Sequence, residues 1–252
     1  MALSISSTVT PKKAIFDSSQ WDNPFEISLL RDNPSQLQNF FDENFTTENM
    51  KRLYVAAFKR FEGVSEQFLI KLTQTMGGGK THNMIALGML AMYPQLREEH
   101  LKPYFNYSLK EEVKVLIFSG RETDTTVSES LAKQLGKESL FSEIIRNNRA
   151  PAPNEWVNLL KGTPKLLLLD ELPPYFQYAE TVSMGMGTLA DVTTTSIANL
   201  LVALSKEELK NICLVISTLE SSYQHGTEKV SQAMSNAANE INRVPLINLE
   251  PV

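Results

Sequence analysis

Cysteine is almost missing from this chain. Cys213 is the single one among 252 residues, so no internal disulfide can form and a disulfide-stapled scaffold is excluded. It lies in the apolar run ICLVIS, where a buried core thiol is the expected role. Histidine is scarce as well, and His82, His100 and His225 do not have metal-ligand spacing. No uninterrupted apolar stretch reaches the roughly 18 residues of a membrane helix, and the opening MALSISSTVTPKK contains no apolar signal core. The expectation is a soluble, cytoplasmic protein with no membrane partner. An excess of basic charge is lacking too. Lys and Arg number 24 against 29 Asp and Glu, a net charge of -5, with a pI near 5.4. That argues against a broad nucleic-acid-binding face, a local patch aside. Low-complexity tracts are absent, and a hydrophobic content of 42% suffices for one sizeable core or two small ones.

The apolar residues that are present fall in a readable order. Residues 1–45 read as an irregular N-terminal segment, in which Asp-Asn-Pro occurs twice, at Asp22–Pro24 and Asp32–Pro34. Asn is restricted ahead of Pro, so turn chemistry explains the recurrence. Residues 46–252 read as one core domain. TTENMKRLYVAAFKRF opens it as a helix, with Thr46 or Thr47 as N-cap. Apolar runs then alternate with helical patterns. QFLIKLTQ, VKVLIFSG, KLLLLDE and NICLVIST are strands, and VPLINLEP is a fifth candidate. Helices are expected over KTHNMIALGMLAMY, TTVSESLAKQLG, DVTTTSIANLLVALS and TEKVSQAMSNAANEIN. KLLLLDE lacks polar alternation, as a strand buried on both faces does. The pattern predicts an α/β, three-layer domain with a mainly parallel five-stranded sheet.

Between the first strand and its helix stands QTMGGGKTH. Successive backbone N–H groups of such a loop can turn inward around a phosphate, and the following helix adds its dipole. The candidate phosphate cradle runs through Thr75, Met76, Gly77, Gly78, Gly79, Lys80, Thr81 and His82. Lys80 supplies a point charge, and the Thr81 hydroxyl is a ligand for Mg²⁺. His82 either touches a nucleotide or is simply a first-turn helix residue. The usual P-loop spacing places glycine five residues before Gly79, where this chain has Gln74. Some 90 residues on, KLLLLDELPPY ends a buried strand in two acids. Asp170 is the candidate Mg²⁺ partner, and Glu171 the group that aligns and polarises an attacking water.

The fourth strand ends in STLESS, so Ser217 or Thr218 would stand at the same sheet edge, within reach of the terminal phosphate or in a turn. Arg243, at a helix end, is either a solvated surface residue or a group that reaches a neighbouring subunit's nucleotide. GMGTLA has dinucleotide-type glycine spacing but no strand before it, and reads as a mobile loop with Met184 and Met186 open to partner contacts. Pro173 and Pro174 stop the strand. Tyr175, Phe176 and Tyr178 follow as core or interface.

MGGGKTHNMIAL, LLLLDELPPYF and ICLVISTLE, in this order and at these intervals, resemble the AAA+-type P-loop ATPases grouped as domain of unknown function 499. The histidine after the threonine in GGGKTH is the most specific part, and NFTTENMKRLYVAAF ahead of the loop is similar as well. The resemblance covers about Asn44 to the end. It implies an ATP- and Mg²⁺-dependent ATPase module of a prokaryotic assembly, often encoded beside DNA methyltransferases and helicases in defence or restriction-like clusters. It also implies Walker A roles for Lys80 and Thr81, Walker B roles for Asp170 and Glu171, a sensor role for Thr218 or Ser217, and an arginine-finger position for Arg243. Self-association or docking in a larger assembly is expected, with DNA or DNA-modifying subunits as partners by analogy. The helical lid of such ATPases has no counterpart after INLEPV, so a fragment of a longer protein or a split subunit is expected. A nucleotide-dependent interaction module with weak hydrolysis and a P-loop kinase for a small molecule are the alternatives.

Overall fold

The computed structural model describes residues 25–37, 39–73, 79–147, 149–218, 224–241 and 246–249. In chain order, α1 (Leu29–Asp32), a 3₁₀ turn (Pro34–Leu37) and α2 (Phe40–Glu43) lead into α3 (Glu48–Phe61). Then come β1 (Leu69–Thr73), α4 (Lys80–Met92), α5 (Pro94–His100), β2 (Lys114–Ser119), α6 (Val127–Gln134), α7 (Glu138–Arg146) and α8 (Pro153–Leu160). β3 (Lys165–Asp170) runs into α9 (Leu172–Ala179), the pair β4 (Ser183–Met184) and β5 (Gly187–Thr188), and α10 (Leu189–Leu204). β6 (Ile212–Thr218), α11 (Gln224–Ile241) and β7 (Leu246–Leu249) complete the order. The fold is α/β. β2, β3, β6 and β1 lie side by side in that order, all parallel, and β7 runs along the far side of β1.

The alternation of side chains across the sheet builds two cores. Leu167 and Leu169 of β3 enter one cluster with Leu116, Phe118, Leu214 and Ile216, covered by helices that include α8, α9 and α10. Leu166 and Leu168 enter the other with Ile70, Leu72, Ile117 and Val215, under α3 and α4. All six residues of β3 are buried, which is why its sequence shows no polar alternation. Cys213 belongs to the second cluster, and burial pushes its thiol up to about 12.

Local chemistry sets the element ends. Thr47 caps α3 by accepting from Met50 N at 3.3 Å. Thr188 and Asp191 cap α10 reciprocally. That cap draws GMGTLA into a two-residue turn between β4 and β5, with Gly185 at φ +63°. The mobile loop expected there is therefore a short antiparallel hairpin, with Met186 fully exposed at its turn. The described part of the N-terminal stretch consists of four-residue helices and turns, and its Ile27, Leu30, Leu37 and Phe40 are buried in the same cluster as Met84 and Leu87. Leu30 presses on Gly88, where a Cβ would lie 2.5 Å from its Cδ1.

Three side chains satisfy backbone groups that the elements leave over. Arg97, fully buried, donates to the carbonyls of Leu90, Ala91 and Leu109. Gln134 occupies the outer edge of β2, accepting from Ile117 N at 2.9 Å and donating to Ile117 O at 2.7 Å. Arg60, 2% exposed, donates to the carbonyls of Ser65, Leu204, Leu209 and Ile212, tying α3 to the ends of α10 and β6. Among the described residues, no helix is long and apolar enough to cross a membrane.

Truncating Arg60 would strand several buried carbonyls at once. Arg60→Ala is expected to cost about 3 kcal/mol or more in urea denaturation. Arg60→Lys recovers only part of that, because one ammonium cannot span the four acceptors. A loss below about 1 kcal/mol would show that water replaces the guanidinium there.

Candidate functional site

The candidate site lies where β1, β2, β3 and β6 end, at the carboxyl edge of the sheet. β1 stops at Thr73, and Gly79 is the N-cap of α4 at φ 71°, ψ 16°, a left-handed conformation that glycine adopts without strain. Lys80 and Thr81 then occupy the first turn of α4, a helix buried almost throughout from Asn83 to Ala91. Lys80 is itself buried. Burial lowers its pKa, and the Asp170 carboxylate opposes that shift. The amide of Asn83 donates to Gly79 O at 2.7 Å and holds the first turn closed.

Strand order brings the remaining parts together. β6 sits between β1 and β3, so Ser217, in register with Leu72, lies beside the end of β3. Thr81 Oγ1 donates to Asp170 Oδ2 at 2.7 Å. Ser217 Oγ donates to the other oxygen of the same carboxylate, which also accepts from Glu171 N at 3.0 Å. Asp170 is 2% exposed. Burial raises its pKa; hydrogen bonds from Ser217 and Thr81 oppose the rise, and the nearby Glu171 charge adds to it.

Glu171 is held by backbone strain and by an ion pair. At φ 53°, it is the one non-glycine residue with positive φ among the described residues, a conformation costing on the order of 1 kcal/mol or more. Gly120, just after β2, donates its N–H to Asp170 O at 2.8 Å. A Cβ at Gly120 would lie 1.8 Å from Glu171 O. The next residue, Arg121, grips the Glu171 carboxylate with two donors, Nη2 at 2.8 Å from Oε1 and Nε beside Oε2. A cavity of about 460 Å³ opens at these groups, lined by Thr81, Ser119, Arg121 and both acids together with Phe25 to Ser28 and Glu122. Arg31 bridges to Glu122 at 2.9 Å and ties that N-terminal wall to the end of β2. A larger cavity of about 630 Å³ runs beside Tyr93, Val115 and Gln134 at the outer edge of β2. It contains none of these groups, so we assign the site by its chemistry to the smaller one.

The structure thus gathers Gly79, Lys80, Thr81, Asp170, Glu171 and Ser217 at one edge. His82 packs against Phe40 with ring centres 4.5 Å apart and planes tilted by 34°, and burial lowers its pKa. Thr218 pairs with Thr73 along the backbone, and its side chain lies outside the description. Thr75, Met76, Gly77, Gly78 and Arg243 lie outside the described residues. Sequence reasoning missed Gly120 and Arg121. Their signal was FSGRE, a glycine and a cation directly after a buried strand. Compared with known proteins, the chain matches no family model and no curated protein.

Two substitutions test this geometry. The folded pKa of Asp170 lies above its unfolded value, so the proton is held longer in the fold, and the associated stability is lost as pH rises through the raised pKa. Asp170→Asn should therefore melt higher than the parent at neutral pH and show a flatter dependence of Tm on pH. A lower Tm at neutral pH would mean that the hydrogen bonds outweigh burial. Gly120→Ala must move Glu171 or the end of β2, so it is expected to lower Tm by several degrees.

Proposed function

We propose that this chain is a P-loop domain of AAA+ type that binds ATP with Mg²⁺ and hydrolyses it. One observation carries the reading. The hydroxyl that opens the helix after a glycine loop rests 2.7 Å from a buried carboxylate at the end of a strand two places away in the sheet. Thr81 and Asp170 are hard oxygen donors, which suits Mg²⁺, an ion usually shared between one or two carboxylates and nucleotide phosphates. Among the described residues, no three His, Cys, Asp or Glu side chains converge on a metal position, so phosphate oxygens would complete its shell. When bound, the ion would neutralise phosphate charge.

The residues supply the remaining steps. N–H groups at the start of α4 and the Lys80 ammonium would bind and orient the phosphates. Ser217 keeps Asp170 in place. Glu171 would take the proton of a water as its oxygen bonds to the γ-phosphorus and the bond to the β-phosphate oxygen breaks. That proton then leaves with the products, ADP and phosphate. A five-stranded P-loop core with β7 as its outer strand belongs to this proposal. So does the resemblance to the ATPases of domain of unknown function 499, with a cytoplasmic defence assembly and DNA-modifying partners by analogy.

The grip of Arg121 on Glu171 favours a second reading, an interaction module that binds nucleotide and hydrolyses it weakly. The size of the cavity leaves room for a third, phosphoryl transfer to a small metabolite, which added acceptors would reveal.

Calorimetry with ATP–Mg²⁺ is the test. Saturable binding is expected, weakened about tenfold or more by Lys80→Ala, with turnover lost in Glu171→Gln. A folded parent chain that binds no ATP would end the nucleotide reading. Binding with turnover unchanged in Glu171→Gln would remove that residue from the water.

A further inference from the structure

Arg121 shares the cavity with Thr81 and both acids, yet it has no part in the steps above. Ser119 pairs with Asp170 across β2 and β3, so the residues after β2 emerge beside those after β3. Its backbone neighbour Gly120 is bonded to Asp170 O. The side chain is different. It is 71% exposed, and among the described residues its head is hydrogen-bonded to Glu171 alone. A guanidinium anchored at its root and open at its tip can exchange one anion for another without moving the strand.

The anion expected here, under the ATP reading, is a γ-phosphoryl group placed between Thr81 and Glu171. It carries more charge than a carboxylate and offers several oxygens to a planar donor fork. Phe25 to Ser28 line the same cavity, and Arg31 pairs with Glu122 in that lining.

We propose that Arg121 is a catalytic arginine supplied in cis, a proposal that rests on the ATP reading above. In the empty chain it neutralises Glu171. As the bond to the β-phosphate oxygen breaks, its guanidinium shifts to the γ-phosphoryl oxygens and stabilises the charge that builds there. The same shift frees the Glu171 carboxylate for the proton of the attacking water. A neighbour's arginine, the role considered for Arg243, is then not required for turnover.

The test uses the full chain, Arg121→Ala, Arg121→Gln and Arg121→Lys. Three quantities are read: ATP–Mg²⁺ affinity, affinity for ADP with aluminium fluoride, and turnover per chain across a hundredfold range of protein concentration. The alanine and glutamine variants should bind ATP within about threefold of the parent, lose the aluminium fluoride complex, and turn over about 10³-fold more slowly. Lysine should restore little, because it lacks the fork. Parent turnover per chain should not depend on concentration. Unchanged or faster turnover in Arg121→Ala would overturn the proposal while leaving ATP binding intact, as would undiminished aluminium fluoride affinity. Turnover that appears only at high chain concentration would overturn it too, in favour of an arginine in trans. Should parent turnover be too slow to read, the aluminium fluoride affinities decide. A folded parent without ATP affinity brings down both readings.

Discussion

A carboxylate buried at the end of a parallel sheet is the constraint from which the site follows. Ionised, Asp170 is costly where it stands, because few water molecules reach it. Its oxygens are met instead by a helix hydroxyl, a strand hydroxyl and a backbone N–H. These donors come from the first turn of α4, from β6 and from the turn after β3. Their agreement on one acceptor locks the helix that follows the glycine loop to the centre of the sheet. The left-handed turn at Glu171 and the absence of a side chain at Gly120 follow from it, since the chain must leave β3 sharply while β2 passes close by.

Much of this was legible in the residues. β1, β2, β3 and β6 lie within the apolar runs that announced them, and α4 begins at the lysine after the glycines. The strand reading succeeded at β3 because unbroken leucine has few other homes than a doubly covered strand. Thr81 and Asp170 each read as a Mg²⁺ partner in the sequence, while the direct hydrogen bond between them, across 89 positions, is seen only in the fold. Other features left no local trace. Nothing in EISLLRDNPSQL announces that Leu30 will seat on Gly88, because a four-residue helix is too short to show a period. GMGTLA misled for a related reason. Glycine spacing says that a turn is possible, while the hairpin depends on a cap formed by Thr188 and Asp191. Arg121 shows in the sequence only as a cation after a strand and a glycine, and its meaning comes from Glu171, just after the strand next to it.

Several of the long-range ties in this fold are made by polar side chains that reach backbone, rather than by side-chain pairs. Arg60 and Arg97 each gather several backbone carbonyls from separate elements. Such contacts place a fixed positive charge in the interior with, among the described residues, no buried acid paired to it, and burial lowers the pKa of both groups. Arginine remains charged under that pressure where lysine would not, which suits it to the task.

Gln134 imitates a missing strand. By giving Ile117 both an acceptor and a donor, its amide completes the outer ladder of β2 at the point where another chain would begin to pair. One rung of that margin is thereby taken. A strand docking along the β2 side would first have to displace the Gln134 amide from Ile117.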